Sequence, residues 1–209
     1  MAESHKWGSL REFFNQIVFF TDEMKLPFEI DKTWTLFLDR DGVINLHYPN
    51  DYVKHWDEFI FLENAVESIN KLSHCFKRII VVTNQQGVGK GLMTQKDLDF
   101  IHEEMRKEVR KEGGNIHAVY AATGLASPDY KLRKPDIGMA IQATKDFEGL
   151  DLSKSIMVGD SITDLQFGRN AGMKTIYVGN ISDLDTSLQH FADASILSLS
   201  ELAAMVKPH

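Results

Sequence analysis

The sequence has a single cysteine, Cys75, among its 209 residues. One cysteine excludes a disulfide within the chain and a zinc site built from several cysteines, and it is compatible with a reducing compartment. The chain also lacks any apolar stretch near the ~20 residues that a membrane helix needs, and its first residues lack the apolar core of a secretory signal. These absences predict a soluble cytoplasmic protein that does not enter a membrane.

Positive charge is also scarce, because 23 Lys and Arg are outnumbered by 30 Asp and Glu, which gives a net charge of -7. Such a chain has no general attraction for a polyanion, which argues against nucleic acid as a partner. Internal repeats, low-complexity tracts and interdomain linkers are absent as well. With 43% hydrophobic and 25% charged residues, the composition is that of one globular domain with a full core.

Short apolar runs alternate with helical patterns along most of the chain. The runs at residues 34–38, 78–82 and 155–158 are almost uncharged, as in strands that are buried on both faces of a parallel sheet. Further strands are predicted at 116–122 and 175–178, and helices at 63–72, 94–111, 135–147 and 163–171, with a short strand and a closing helix within 194–206. This alternation predicts an α/β fold with a doubly wound, mostly parallel sheet.

Residues 7–24 carry apolar side chains at helical spacing, and Ser9 and Glu12 form a capping box at the start. We therefore divide the chain into an amphipathic helix extension, residues 1–30, and an α/β domain, residues 31–209. The helix either packs on its own domain or contributes to a homodimer or another partner surface, since exposed aromatic patches of this size are unusual.

Four polar fragments directly follow apolar runs or precede a predicted helix. They are Asp39-Arg40-Asp41, Thr83-Asn84, Arg133-Lys134-Pro135, and Gly159-Asp160 followed by Asp164. In an open α/β sheet the ligand crevice lies beyond the carboxyl ends of the strands, so we expect these fragments to converge there. Asp39 and Asp41 are two residues apart and can lean to one side, while Gly42 permits a sharp turn.

These residue types fit the chemistry of phosphate transfer. A carboxylate that attacks phosphorus needs a divalent cation and fixed positive charge nearby, and Mg²⁺ takes one or two carboxylates from a protein, for which Asp39 and Asp160 are suited. Lys134 precedes Pro135, which we place at the first position of a helix, so the lysine is expected near a positive helix end. Arg133 is either a bidentate phosphate ligand or a solvated cation.

In their wider context the four fragments resemble the motifs of the haloacid dehalogenase (HAD) phosphatases. The matching segments are LDRDGVIN at residues 38–45, VVTNQQGVGKG at 81–91, RKPDIGM at 133–139 and MVGDSITDLQFGRNAG at 157–172. Within this superfamily the first two segments, with Tyr52-Val53 before the first helix, are most similar to the D,D-heptose 1,7-bisphosphate phosphatases and histidinol phosphatases. The resemblance implies a Mg²⁺-dependent phosphomonoester hydrolase that acts through an aspartyl phosphate on a small metabolite, such as a sugar phosphate.

The resemblance also implies a role for each residue. Asp39 is expected to be the nucleophile, and Asp41 the acid that protonates the leaving oxygen and then the base that activates water. Thr83 and Lys134 are expected to hold the transferring phosphoryl group. The remaining expected roles are Mg²⁺ ligation by Asp39, the Asp41 carbonyl and Asp160, support of those ligands by Asp164, and substrate contact by Asn45, Asn84, Gln85 and Arg133.

One segment departs from the family pattern. The heptose and histidinol phosphatases usually carry a zinc-binding loop of Cys and His before the Arg-Lys-Pro segment, whereas residues 123–132 contain neither. No zinc is therefore expected, and the exact substrate is left open. The sheet and its helices consume the chain between the motifs, so we expect no separate cap domain and assign selectivity to loops such as residues 47–52 and 123–132.

Three alternatives to a sugar phosphatase remain. Histidinol phosphate is a second metabolite consistent with the resemblance. The Gly124-Leu125 pair before Arg133-Lys134-Pro135 is similar to polynucleotide 3'-phosphatases, although the acidic net charge argues against that partner. A non-catalytic phospho-acceptor module would also combine a doubly wound sheet with an acidic Mg²⁺ site, but it does not need an acid two residues after the phosphorylated aspartate.

Overall fold

The computed structural model describes residues 25–207. Its strands are β1 Thr35–Leu38, β2 Arg78–Asn84, β3 Ala118–Ala122, β4 Ser155–Gly159, β5 Lys174–Val178 and β6 Ala194–Ile196. Its helices are α1 Ala65–Ser73, α2 Gln95–Lys111, α3 Gly138–Asp146, α4 Ile162–Asn170 and α5 Leu199–Met205. The strands form one sheet in the order β3-β2-β1-β4-β5-β6, and every neighbouring pair is parallel. The predicted doubly wound α/β fold is confirmed.

Each central strand is buried on both faces, as its uncharged sequence predicts. In β1, Leu36 and Leu38 point into a core that also contains side chains from α1, α2 and α5, whereas Phe37 points into a second core with side chains from α3 and α4. Successive side chains of a strand alternate between the faces of its sheet, so the two cores are separated by the sheet itself. Helices cover both faces and leave the strand ends as the accessible edges.

The long helix α2 begins and ends where the sequence predicts. The Asp97 amide donates to Thr94 Oγ1 at 3.2 Å, and the Thr94 amide donates to the Asp97 carboxylate at 2.8 Å, which closes a capping box. Arg110 and Lys111 lie in the last turn, where the helix dipole favours cations. Its buried face carries apolar side chains together with His102.

The predicted helix start at Pro135 is wrong, because α3 begins at Gly138. The preceding segment forms a turn in which the Asp136 amide donates to the Arg133 carbonyl at 2.9 Å and the Gly138 amide donates to the Lys131 carbonyl at 3.0 Å. Lys134 therefore does not lie in the first turn of a helix, and its position has another cause, described below.

Within the described part of the chain, every helix is too short or too polar to cross a membrane. The amphipathic helix predicted at residues 7–24 lies outside the described residues. The proposed division near residue 30 and the dimer surface on that helix stay predictions.

Candidate active site

Three adjacent strands, β2, β1 and β4, end at one cavity of about 490 Å³. Asp39 follows β1, Thr83 lies near the end of β2, and Asp160 follows β4. Of the ten site residues predicted from the sequence, all except Asn45 and Gln85 line this cavity. The eight that do are Asp39, Asp41, Thr83, Asn84, Arg133, Lys134, Asp160 and Asp164. The expected convergence of the four polar fragments is therefore present in the fold.

A sharp turn after β1 brings both acids of the first fragment to the cavity. The Asp39 amide donates to the Val158 carbonyl at 2.9 Å, which extends the pairing of β1 with β4 by one residue. Gly42 then adopts a φ of +80°, and a Cβ at this position would lie 1.9 Å from Asp160 Oδ2. Only glycine lets the backbone turn this way and pass so close to the Asp160 carboxylate.

Lys134 is held between two carboxylates at the base of the cavity. Its Nζ lies 2.8 Å from Asp39 Oδ1 and 2.5 Å from Asp164 Oδ1, and it donates to the Val82 carbonyl at 2.9 Å. The side chain is only 2% exposed. Burial alone would lower the pKa of Lys134, but the carboxylates of Asp164 and Asp39 raise it above its ordinary value, so the ammonium stays charged.

The backbone of Lys134 is fixed by an asparagine side chain. The Lys134 amide donates to Asn84 Oδ1 at 3.0 Å, and Asn84 Nδ2 donates to the Lys134 carbonyl at 3.3 Å. These two hydrogen bonds fix the position of Lys134, which the start of a helix was expected to do. Asn84 lines the cavity as predicted, but its amide is already engaged in placing the lysine.

The carboxylates of Asp39, Asp160 and Asp164 form a compact group whose candidate ligand oxygens all lie within 4.8 Å of one another. Burial, followed by repulsion from Asp164, raises the pKa of Asp39 to about 8, although Lys134 opposes the shift. Burial and then Asp164 also raise the pKa of Asp160. Nearby positive charge is thus too small to compensate the carboxylates when all three are ionised, and their oxygen donors fit a hard divalent cation such as Mg²⁺.

Asp164 contributes to this group while both of its oxygens already have protein partners. Oδ1 contacts Lys134, and Oδ2 accepts from the Ser161 amide at 3.0 Å, which closes the start of α4. The side chain is completely buried. Asp39 and Asp160 are consequently better placed than Asp164 to ligate a cation from the cavity side, in line with the expected supporting role of Asp164.

The Asp41 carboxylate accepts three hydrogen bonds from side chains behind it. Arg40 and Asn45 donate to Oδ1, each at 2.9 Å, and Gln85 donates to Oδ2 at 2.8 Å. Burial opposes ionisation of Asp41, but the Arg40 guanidinium and the amide donors together hold its pKa below the ordinary value. These three donors fix the orientation of the carboxylate toward the cavity.

The structure places Asn45 and Gln85 differently from the expectation that they face the substrate. Both side chains are completely buried and lie behind Asp41 rather than on the cavity wall. Gln85 Nε2 also donates to Thr83 Oγ1 at 2.9 Å, so one amide connects two residues that do line the cavity. The resemblance correctly placed Asn45 and Gln85 near the cavity, but a sequence motif does not show in which direction a side chain points.

The loop at residues 47–52 lines the cavity, as expected for a selectivity loop, whereas residues 123–132 do not. Residues 126–128 and 130 instead line a neighbouring depression that shares Arg133 and Lys134 with the cavity.

Sequence reasoning assigned no individual role to Arg40, His47 or Lys90, although His47 begins the loop at residues 47–52 that was expected to provide selectivity. Arg40 lies completely buried behind Asp41, and His47 Nδ1 is 3.3 Å from Asp160 Oδ2. Lys90 lines the cavity and donates to Tyr52 Oη at 3.3 Å. The only sequence signal for a role of Arg40 was its position between Asp39 and Asp41.

Comparison with known proteins agrees with this geometry. A family model described as HAD-hydrolase-like matches residues 131–202. The D-glycero-alpha-D-manno-heptose-1,7-bisphosphate 7-phosphatase of Mycobacterium tuberculosis is 36% identical over 83% of this chain and 91% of its own length. The D-glycero-beta-D-manno-heptose-1,7-bisphosphate 7-phosphatase of Pseudomonas aeruginosa is 36% identical over 68% of this chain and 79% of its length.

A solved structure is similar as well. The D,D-heptose 1,7-bisphosphate phosphatase of B. bronchiseptica, complexed with magnesium and phosphate, superposes with a TM-score of 0.73 at 29% identity and covers 82% of this chain and 96% of its own. The sequence identity to the Mycobacterium tuberculosis relative extends over most of both chains. The chain therefore belongs to the HAD-like hydrolases and is a phosphatase of that family.

Proposed function

We propose that the chain removes the phosphate at carbon 7 of a heptose 1,7-bisphosphate, with Mg²⁺, through an aspartyl phosphate formed on Asp39. The convergence of Asp39, Asp41, Lys134 and Asp160 on one cavity carries the chemical part of this proposal. The names of the relatives support the substrate.

The nucleophile in this proposal is the Asp39 carboxylate, which attacks phosphorus and displaces the sugar oxygen. Lys134 favours its ionised form through the 2.8 Å ion pair and offers the same ammonium to the oxygens of the phosphoryl group. Asp39, the Asp41 carbonyl and Asp160 would hold Mg²⁺. The cation would supply the positive charge that a carboxylate needs beside a phosphate dianion.

Asp41 serves as the acid and base of the reaction. Its carboxyl protonates the departing sugar oxygen in the first half, and the resulting carboxylate then takes a proton from the water that hydrolyses the aspartyl phosphate. A phosphate dianion beside Asp41 disfavours the carboxylate form, so substrate binding raises the pKa that the surrounding donors otherwise hold low. The proton is thus available when the substrate is present.

Two cations on the cavity wall support a bisphosphate as the substrate. Arg133 and Lys90 line the cavity, and neither forms an ion pair within residues 25–207. A second phosphate would give both cations a partner, since guanidinium and ammonium groups bind phosphate by charge-assisted hydrogen bonds. The absence of Cys and His from residues 123–132 leaves this wall to be built from other side chains.

Phosphate release from the α- and β-anomers of D-glycero-D-manno-heptose 1,7-bisphosphate, measured with Mg²⁺, tests the proposal. Histidinol phosphate and a 3'-phosphorylated oligonucleotide serve as competing substrates. We expect the heptose bisphosphate to give the largest kcat/KM, and Asp39→Asn to abolish turnover while exposed Asp99→Asn on α2 leaves it unchanged. Activity retained by Asp39→Asn refutes the mechanism, and faster turnover of histidinol phosphate or the oligonucleotide refutes the substrate.

A further inference from the structure

Arg40 lies behind the cavity with a completely buried side chain. Nη2 donates to Asp41 Oδ1 at 2.9 Å, and Nη1 donates to His102 Nε2 at 3.1 Å. Its Nε has no hydrogen-bond partner among residues 25–207. The Phe59 ring, whose centroid is 5.8 Å from the guanidinium carbon, covers one face. The two terminal hydrogen bonds therefore determine how the guanidinium is rotated in its plane.

His102 is a polar residue on the buried face of α2. Its neighbours on that face are Leu98, Ile101, Met105 and Val109, all completely buried. A polar side chain in such surroundings needs a hydrogen-bond partner, and Arg40 Nη1 supplies it. The histidine thus links a long helix of the first core to a residue that contacts Asp41.

The direction of this hydrogen bond is fixed by chemistry. A guanidinium can only donate, so His102 Nε2 must accept and the ring hydrogen must be on Nδ1. Burial, followed by the charge of Arg40, lowers the pKa of His102 to about 3, so the ring is neutral and its lone pair is available. The pair is a donor and an acceptor, not two opposed cations.

We propose that His102 is a positioning residue for proton transfer, because it fixes the Arg40 guanidinium, which in turn fixes the Asp41 carboxylate toward the cavity. This inference rests on the proposed role of Asp41 as the general acid. Without the acceptor on His102, the guanidinium retains a single hydrogen bond, to Asp41, and is free to rotate in its plane against the Phe59 ring. Asn45 and Gln85 still donate to the Asp41 carboxylate, so we expect Asp41 to remain at the cavity but in a less favourable orientation for proton transfer.

The dependence on the leaving group distinguishes this role from a purely structural one. A sugar oxygen must be protonated as it leaves, whereas p-nitrophenolate leaves without a proton. The test measures kcat/KM, which reports the formation of the aspartyl phosphate, for p-nitrophenyl phosphate and for a sugar phosphate that the wild-type enzyme hydrolyses. His102→Met fills a similar volume but lacks the acceptor.

We expect His102→Met to lower kcat/KM for the sugar phosphate about ten- to a hundredfold, as for a catalytic group displaced by up to an ångström, and for the aryl phosphate less than about threefold. His102→Gln, whose amide oxygen restores an acceptor, should recover the wild-type ratio of the two rates. His102→Asn, whose amide is too short to reach Arg40, should not. The exposed His74→Met, on the chain before β2, is the matched control and should change neither rate.

Asp41→Asn is the reference that separates this inference from the proposed function. If Asp41→Asn penalises the sugar phosphate far more than the aryl phosphate and His102→Met lowers both rates equally, or neither, the positioning role is refuted while the acid role of Asp41 stands. If Asp41→Asn shows no dependence on the leaving group, the acid role fails and the inference fails with it. Thermal unfolding of each variant checks folding, and the comparison of His102→Gln with His102→Asn decides the question if His102→Met is too unstable to assay.

Discussion

Removing the ammonium of Lys134 is expected to affect both stability and catalysis. In Lys134→Met the carboxylates of Asp39 and Asp164 lose a cation at 2.8 and 2.5 Å, and the Val82 carbonyl loses a donor. Removing one partner of a buried ion pair costs about 3–5 kcal/mol, because the remaining charge stays buried without compensation. We expect a loss of this size in the free energy of unfolding, measured by urea denaturation in EDTA near pH 8.

The sign of the pH dependence follows from the raised pKa of Asp39, which burial and Asp164 bring to about 8 in the folded chain, against an ordinary value of 3.8. Without Lys134 this pKa rises further, since the one cation that lowers it is gone. An unfolded chain releases a proton that the folded chain retains, so the wild type loses stability as the pH rises from about 4 to about 8, and the variant continues to lose stability beyond pH 8. The stability deficit of the variant relative to the wild type therefore grows as the pH rises through about 8, and it is smaller at lower pH, where Asp39 is protonated in both folded proteins.

Lys131→Met is the matched control, because Lys131 is exposed and its ion pair with Asp136 spans 3.8 Å. It should change the unfolding free energy by less than about 0.5 kcal/mol at every pH. With Mg²⁺ present, Lys134→Met should also lower phosphate release on the order of a hundred- to a thousandfold, as expected for the loss of a fixed charge beside the reacting group. A Lys134→Met deficit that is absent near pH 8, or that does not vary with pH, would contradict this electrostatic account.

Three further predictions concern the turn, the cation and the substrate. Gly42→Ala should lower Mg²⁺-dependent activity more than about tenfold, since its Cβ would displace Asp160, whereas Gly149→Ala, at φ +69° but in open space, should cost only about 1–2 kcal/mol of stability and no activity. Chelation of divalent cations with EDTA should abolish phosphate release, and added Mg²⁺ should restore it; full activity in EDTA would exclude the cation from the reaction. Arg133→Ala and Lys90→Ala should raise KM for a heptose bisphosphate about tenfold each, as expected for one lost charge-assisted contact, but leave KM for p-nitrophenyl phosphate unchanged; equal effects on both substrates would contradict a second phosphate site.

The sheet is predictable from the sequence because both faces of its central strands are covered. Side chains on both faces, such as Leu36 and Phe37, must then be apolar, and each central strand therefore appears in the sequence as a continuous run of almost entirely uncharged residues. The limits of the strands are less predictable. The strand β2 continues to Asn84 because it pairs with β3 as far as Ala122, and a polar residue inside a strand looks like a strand end in the sequence.

The residues on the cavity wall are predictable in identity but not always in orientation. Asp39 and Asp160 follow strands, and their carboxylates reach the cavity because strand ends converge in this fold. Asn45 and Gln85 lie outside the six strands, and the motif does not show that their amides donate to Asp41 rather than face the cavity. Arg40 and His102 are 62 residues apart in the sequence and lie on different elements of the fold. No local sequence pattern predicts a contact between them.

The double pairing of Lys134 has a consequence for the whole proposed reaction cycle. During the proposed cycle Asp39 changes from a carboxylate to an acyl phosphate and back, so the negative charge nearest the ammonium moves from the carboxylate to the phosphoryl oxygens halfway through each turnover. Asp164 is completely buried and takes no part in these bond changes, so its contact with the ammonium is the same in both half-reactions. Because the Asp164 carboxylate does not react, Lys134 can act in both the attack on the sugar phosphate and the later hydrolysis without changing its position.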